Sequence, residues 1–149
     1  MRRGYFGIGI YNPKTIENLG TLFRSAHNFG ADFIFTVGHR YKKQPSDTTK
    51  AWKHIPFYEY TDMEHFRESI PKDCQRVAVE QTIGSKSLKN YIHPERAVYL
   101  LGAEDVGIPI EYHHWFSYGG GIVHIDTPMC LNVAVAGSIV MYDRQIKSK

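Results

Sequence analysis

The chain has 149 residues, 42% of them hydrophobic and 22% charged, which is ordinary for a globular protein and enough for one buried core. No apolar run approaches the roughly 20 residues that a membrane-spanning helix requires, and the two cysteines form neither a disulfide framework nor a metal-ligand spacing. We therefore expect a single domain over residues 1–149, not a membrane protein, in a reducing, cytoplasmic compartment.

Hydrophobic spacing predicts strands alternating with helices along the whole chain. The clearest helix has Leu19, Leu22 and Phe23 on one apolar face and ends before Gly30. Such alternation indicates an α/β fold, a mostly parallel sheet flanked by helices, with ligands bound at the carboxyl ends of the strands. The predicted strands cover residues 5–11, 32–37, 56–60, 76–80, 96–101 and 122–125, and the predicted helices cover residues 15–29, 47–53, 63–69, 109–115 and 131–146.

Positive charge is concentrated between His39 and His54, where Asp47 is the single acid, although the net charge is only +3. Clustered positive charge gives affinity for phosphate backbones, while a solvated loop would carry the same residues without any partner. Interleaved aromatic residues favour the first reading, because bases stack on them. The predicted nucleic-acid contacts are Arg40, Lys42, Lys43, Lys50 and Lys53.

The final predicted helix, residues 131–146, is apolar on nearly all sides as far as Asp143. A helix with so little polar surface is usually buried on both sides. In a chain this small, the pattern predicts burial against the core on one side and against a partner subunit on the other.

The first predicted helix carries a polar pair, Asn18 and Arg24, with Gly20 between them. Arg24 interrupts an apolar stretch. A guanidinium buried there would require a phosphate or carboxylate partner, and the alternative is an arginine on the helix surface.

Two later loops carry further polar residues. Glu104 lies between Gly102 and Gly107 after an apolar strand, either as a site carboxylate or as an ordinary acid at a helix start. Cys130 and Asn132 end a loop that leads into the last helix. We expect Cys130 to be a small buried residue at that helix start rather than a reactive thiol.

In this order, the three segments resemble the SPOUT class of RNA methyltransferases, specifically the SpoU/TrmH family of ribose 2′-O-methylating enzymes. The resemblance covers nearly the whole chain. The third motif departs from the family pattern, because its link is shorter and Cys130 stands where serine is common. A thiol donates a hydrogen bond less strongly than a hydroxyl. The matching residues are Asn18, Gly20, Arg24, Gly102, Glu104, Gly107 and Asn132.

The resemblance implies a C-terminal trefoil knot, S-adenosyl-L-methionine as cofactor, RNA as substrate and a homodimer. The dimer would combine the arginine of one subunit with the cofactor loops of the other. The implied catalytic residues are Arg24, Asn18, Glu104 and Asn132, and the implied cofactor-binding residues are Glu80, Gln81, Gly102, Ile125, Cys130 and Leu131.

The minimal, single-domain build is similar to tRNA-modifying members of the family, so tRNA is favoured over rRNA. No metal site is expected, because the adjacent His113 and His114 do not share a helix face. His124, inside a strand, is read as structural. The alternative function is a non-catalytic RNA-binding dimer that retains the fold. Cys130 and the shortened third motif favour that alternative, and the retained motif residues argue against it.

Overall fold

A single parallel sheet organises the chain in the computed structural model, which describes residues 4–39, 54–103 and 105–148. Within these ranges, every strand pairing is parallel, in the order β3-β2-β1-β6-β4-β7-β5. The strands are β1 (Tyr5–Tyr11), β2 (Phe33–Val37), β3 (Phe57–Tyr60), β4 (Gln75–Val79), β5 (Lys86–Ser87), β6 (Arg96–Gly102) and β7 (Gly121–His124). The helices are α1 (Ile16–Asn28), α2 (Met63–Ser69), α3 (His113–Ser117) and α4 (Val133–Lys147), with 3-10 turns at Leu88–Asn90 and Ile110–Tyr112.

The predicted α/β architecture is confirmed, and the predicted elements in the described ranges lie within a few residues of the observed ones. The helix α4 begins at residue 133 rather than 131, because Asn132 caps it from outside. The two-residue strand β5 was not predicted, since so short an element has no period to detect. The helix predicted at residues 47–53 lies outside the described residues.

Each face of the sheet buries its own apolar cluster. On one face, α1 and α4 cover residues such as Ile8 and Leu101, and on the other Phe35, Phe66 and Phe116 pack together. A Cβ on Gly9 would lie within 2.6 Å of the Phe35 ring, so the strand glycines make room for aromatic side chains. Among the described helices, none is both long and apolar enough to cross a membrane.

Candidate functional site

A cleft of about 300 Å³ opens at the carboxyl ends of three neighbouring strands, β6, β4 and β7. This is where open α/β sheets bind ligands, because the loops that follow adjacent strands diverge there. Its walls come from the segments that follow each strand and from the start of α4. The lining residues are Val79, Glu80, Gln81, Leu101, Gly102, Ala103, Asp105, Val106, Gly107, His124, Ile125, Thr127, Cys130, Leu131, Val133 and Ala136.

The six residues predicted from the resemblance to hold a cofactor all line this cleft. They come from three separate segments of the sequence, which only the parallel sheet brings together. The structure thus places them at one site, while their contact with a cofactor stays a prediction. They are Glu80, Gln81, Gly102, Ile125, Cys130 and Leu131.

The loop after β6 folds back tightly on itself. A Cβ on Gly102 would lie 2.9 Å from the Gly107 Cα, and the Gly107 N–H donates to the Ala103 carbonyl at 3.0 Å. Glycine is therefore required at residue 102 by backbone packing within the loop. Glu104, the predicted catalytic carboxylate of this loop, lies outside the described residues.

A hydrogen-bonded cluster around His124 joins two loops at the cleft. The Ser85 hydroxyl donates to the Thr82 carbonyl at 2.7 Å and lies 2.8 Å from His124 Nδ1. His124 Nε2 lies 3.0 Å from Asp126 Oδ1, and the Ser87 hydroxyl donates to the same carboxylate. The hydrogen bonds from Ser87 and His124 lower the pKa of Asp126.

Two asparagines connect the first and third motifs. The Asn132 side chain accepts from the backbone N–H groups of Ala134 and Val135, at 2.9 and 3.3 Å, and so caps α4. Its amide Nδ2 donates to Asn18 Oδ1 at 2.9 Å. Asn18 lies in the first turn of α1, whose N-cap is Thr15. The predicted catalytic residues Asn18 and Asn132 are therefore in direct contact, 114 residues apart in sequence.

Arg24 is exposed, so its guanidinium is not buried within its own subunit. The apolar side of α1 is supplied by Leu19, Leu22 and Phe23 instead. Arg24 lies three residues after Thr21, which lines a shallow apolar groove between α1 and α4. Residues three apart are neighbours on a helix, so Arg24 borders this groove.

The expectation that Cys130 is buried at a helix start is wrong. It is a free, exposed cysteine in the loop before Asn132. Asn132, not Cys130, supplies the helix cap, so nothing draws the thiol into the core.

The basic residues predicted to contact nucleic acid, Arg40, Lys42, Lys43, Lys50 and Lys53, lie outside the described residues. Over residues 4–39, 54–103 and 105–148, no three His, Cys, Asp or Glu side chains cluster as a metal site would require.

Comparison with known proteins identifies relatives of this chain. Residues 6–142 match the model of the SpoU rRNA Methylase family. A mouse protein, tRNA (guanosine(18)-2′-O)-methyltransferase TARBP1, is 28% identical over 134 residues, which are 85% of this chain. The matched region is only 8% of the mouse protein's length.

Solved structures share the fold at low sequence identity. One, described as giving structural insights into the 2-OH methylation of C/U34 on tRNA, has a TM-score of 0.82 at 21% identity, covering 99% of this chain and 92% of its own. The AdoMet-bound rRNA methyltransferase from Sinorhizobium meliloti has a TM-score of 0.79 at 23% identity, covering 99% of this chain and 58% of its own.

Proposed function

The chain belongs to the SpoU rRNA methylase family, and we propose that it is an S-adenosylmethionine-dependent RNA ribose 2′-O-methyltransferase. One observation carries the proposal. All six predicted cofactor residues line a single cleft at the carboxyl ends of β6, β4 and β7. The Asn132–Asn18 hydrogen bond joins the first motif to the loop that borders this cleft.

The cleft fits the cofactor in size and in chemistry. Its volume of about 300 Å³ is in the range of small-molecule sites. Leu101 and Leu131 give it apolar surface, while Gln81 and Thr127 give it polar groups that can orient a ligand. When bound, S-adenosylmethionine supplies an electrophilic methyl group on its sulfonium sulfur. The AdoMet carried by the Sinorhizobium meliloti relative supports this assignment.

Arg24 is the proposed catalytic cation. An arginine stays protonated in essentially every protein. Arg24 is therefore suited to binding an RNA phosphate and to stabilising the negative charge that develops on the ribose 2′-oxygen. Its exposure on α1 leaves the guanidinium accessible to a substrate. The resemblance also implies help in deprotonating the 2′-hydroxyl, which the same position would allow.

We propose a homodimer in which Arg24 serves the cleft of the partner subunit. The groove between α1 and α4 supports this, since its lining is nearly all apolar and Arg24 lies at its border. Val135 and Tyr142 of this groove are 46% and 55% exposed, more than large apolar residues of a buried helix would be. A second copy covering the groove would bury them, as predicted for the last helix.

The proposed substrate is tRNA rather than rRNA. The mouse relative is a tRNA methyltransferase, and one of the similar structures concerns the 2-OH methylation of C/U34 on tRNA. The basic stretch between His39 and His54 also suits a phosphate backbone. We also propose that residues 1–149 form one domain, that its C-terminal segment forms a trefoil knot, and that it works in the cytoplasm. Two free cysteines, one of them exposed, fit a reducing compartment.

The test separates binding from transfer. Arg24→Ala should lower methyl transfer by about 100-fold or more, the usual effect of removing a group that stabilises transition-state charge. The dissociation constant for S-adenosylmethionine and the melting temperature should not change, because the side chain is exposed. Arg67→Ala is the matched control, an arginine that is 48% exposed on α2. Unchanged transfer by the Arg24 variant would refute its catalytic role.

Mixing two inactive variants tests the shared site. Leu131→Glu places a carboxylate in the apolar wall of the cleft and should abolish cofactor binding. If the sites are shared in a dimer, refolding the Leu131→Glu variant together with the Arg24→Ala variant should recover about a quarter of wild-type transfer. About half of the dimers then contain one of each variant, and each of these has one intact site of two. A mixture as inactive as its parents would show that the sites are not shared.

A further inference from the structure

We infer that Glu80 and His113 are positioning residues that clamp the backbone of Ile108 and thereby fix residues 105–108 at the cofactor cleft. The inference rests on the proposed function of that cleft. It assigns Glu80 a different task from the direct cofactor contact predicted from the sequence, and it gives a task to a histidine that the sequence left without one.

Glu80 holds the amide of Ile108. Its Oε1 accepts a hydrogen bond from the Ile108 N–H at 2.9 Å. This approach depends on the neighbouring glycine, because a Cβ on Gly107 would lie 2.0 Å from the same oxygen. Gly107 also has a φ of +66°, a conformation that favours glycine. The loop sequence is thus matched to a carboxylate 28 residues earlier in the chain.

His113 holds the carbonyl of the same residue. Its Nε2 lies 3.1 Å from the Ile108 carbonyl oxygen, so a proton on Nε2 is donated to that oxygen. The same ring nitrogen lies 3.2 Å from Glu80 Oε2. Both backbone polar groups of Ile108 are therefore engaged, and its side chain is only 4% exposed in the apolar core.

One oxygen of the Glu80 carboxylate is engaged within the protein and the other is shielded from solvent. Oε1 is committed to Ile108, and Oε2 is almost fully shielded from solvent, with no hydrogen-bond partner in the described part of the chain. Oε2 faces the His113 ring rather than an open surface. The clamp acts on the cleft through the backbone, since Gly107 packs directly against Gly102, a residue of the cleft wall.

Glu80→Ala tests the clamp by leaving the buried Ile108 N–H without an acceptor. We expect the dissociation constant for S-adenosylmethionine, measured by calorimetry, to rise about tenfold, in line with the effect of one unsatisfied buried donor. His113→Ala should weaken binding in the same direction. Glu80→Gln keeps an oxygen for the amide and should stay within about threefold of wild type. A Gln variant as weak as the Ala variant would overturn the clamp and indicate a charge contact with the cofactor.

A control variant separates positioning from general loss of stability. Lys147 Nζ donates to the carbonyls of Leu88 and Tyr91 outside the cleft. Lys147→Ala should lower the melting temperature without changing cofactor affinity. If the Lys147 and Glu80 variants weaken binding equally, the clamp is not specific.

Amide hydrogen exchange gives a readout that does not depend on any cofactor. Glu80→Ala should accelerate exchange at the Ile108 amide relative to wild type and to Glu80→Gln. Unchanged exchange would overturn the clamp, even if affinity fell. If wild-type protein does not bind S-adenosylmethionine, the proposed function fails, and the exchange result alone decides whether the clamp exists.

Discussion

The two ends of the Asn132 amide perform separate tasks. Its oxygen caps α4 by accepting from Ala134 and Val135, while its nitrogen donates to Asn18. One side chain therefore both starts the last helix and ties the helix start to the first motif. Asparagine suits this position because aspartate could cap but not donate, whereas serine has no amide and a shorter side chain.

Aspartate at this position separates the two tasks. Asn132→Ala should lower the free energy of unfolding by about 1 kcal/mol, the usual cost of losing an N-cap. Asn132→Asp should retain helix stability, since Asp caps as well as Asn, but lose the bond to Asn18 and with it much of the methyl transfer. Urea unfolding would measure the stability of both variants, and a transfer assay would measure their activity. Equal stability of the two variants would show that the cap contributes nothing, and full transfer by Asn132→Asp would dismiss the bridge.

Among the elements, the close contact between α1 and α4 depends on the glycine at residue 137, which has no side chain. A Cβ on Gly137 would lie 2.4 Å from Leu22 Cδ1 and 3.4 Å from Leu101 Cδ1. Leu22 is fully buried, so it has little room to move. The adjacent Ser138 hydroxyl donates to Ser25 at 2.9 Å, which requires the two helices to stay close.

Gly137→Ala should therefore destabilise the protein although alanine favours a helix. The helix propensity gained is about 1 kcal/mol, and forcing an extra methyl into a packed core costs about 1–3 kcal/mol. We expect a net loss of about 1 kcal/mol in urea unfolding. Gln145→Ala, an exposed position of the same helix, is the control and should change stability by less than about 0.5 kcal/mol. A stabilised Gly137 variant would contradict the packing.

The helices and loops also show how much of the structure could be predicted from the sequence. Strong apolar periodicity placed α1 and α4 within two residues of their observed bounds, and the rule on carboxyl ends placed the loops of Gly102 and Thr127 on the same side of the sheet. Exposure was harder to predict, because it depends on which face of an element is covered. The sequence left the exposure of Arg24 open and wrongly predicted a buried Cys130.

The hydrogen-bond partners of His113 and His124 could not be identified from the sequence. Their partners lie far away in the chain: Glu80 is 33 residues before His113, and Ser85 is 39 residues before His124. No local pattern links such pairs. The pairing of β5 with β7 brings Ser85 close to His124, and the packing of α3 against β4 brings His113 close to Glu80, so the contacts become visible only in three dimensions.

For the molecule as a whole, the burial of tyrosines makes the free energy of unfolding fall as the pH rises into the alkaline range. Burial raises the pKa of Tyr60 and of Tyr99 to about 12, whereas an unfolded tyrosine titrates near 10. The unfolded chain therefore releases these protons first. The resulting stability is fully present below about pH 10 and is lost as the pH rises toward 12.

Tyr60→Phe should make this alkaline loss shallower, because one of the groups that titrates differently in the two states is gone. The measurement is the free energy of unfolding in urea between about pH 8 and pH 11. Tyr118→Phe, at a side chain that is 82% exposed, should leave the slope unchanged. Equal slopes for wild type and the Tyr60 variant would contradict the effect of burial.

We propose that the cleft over β6, β4 and β7 directs a methyl group to an RNA ribose. The most direct measurement is transfer of isotopically labelled methyl from S-adenosylmethionine to tRNA and, separately, to rRNA, followed by digestion to nucleosides. We expect label in a 2′-O-methylated nucleoside, from tRNA more than from rRNA. Label on a base, or no transfer by a protein that binds S-adenosylmethionine, would contradict it, and the latter would favour the non-catalytic RNA-binding dimer.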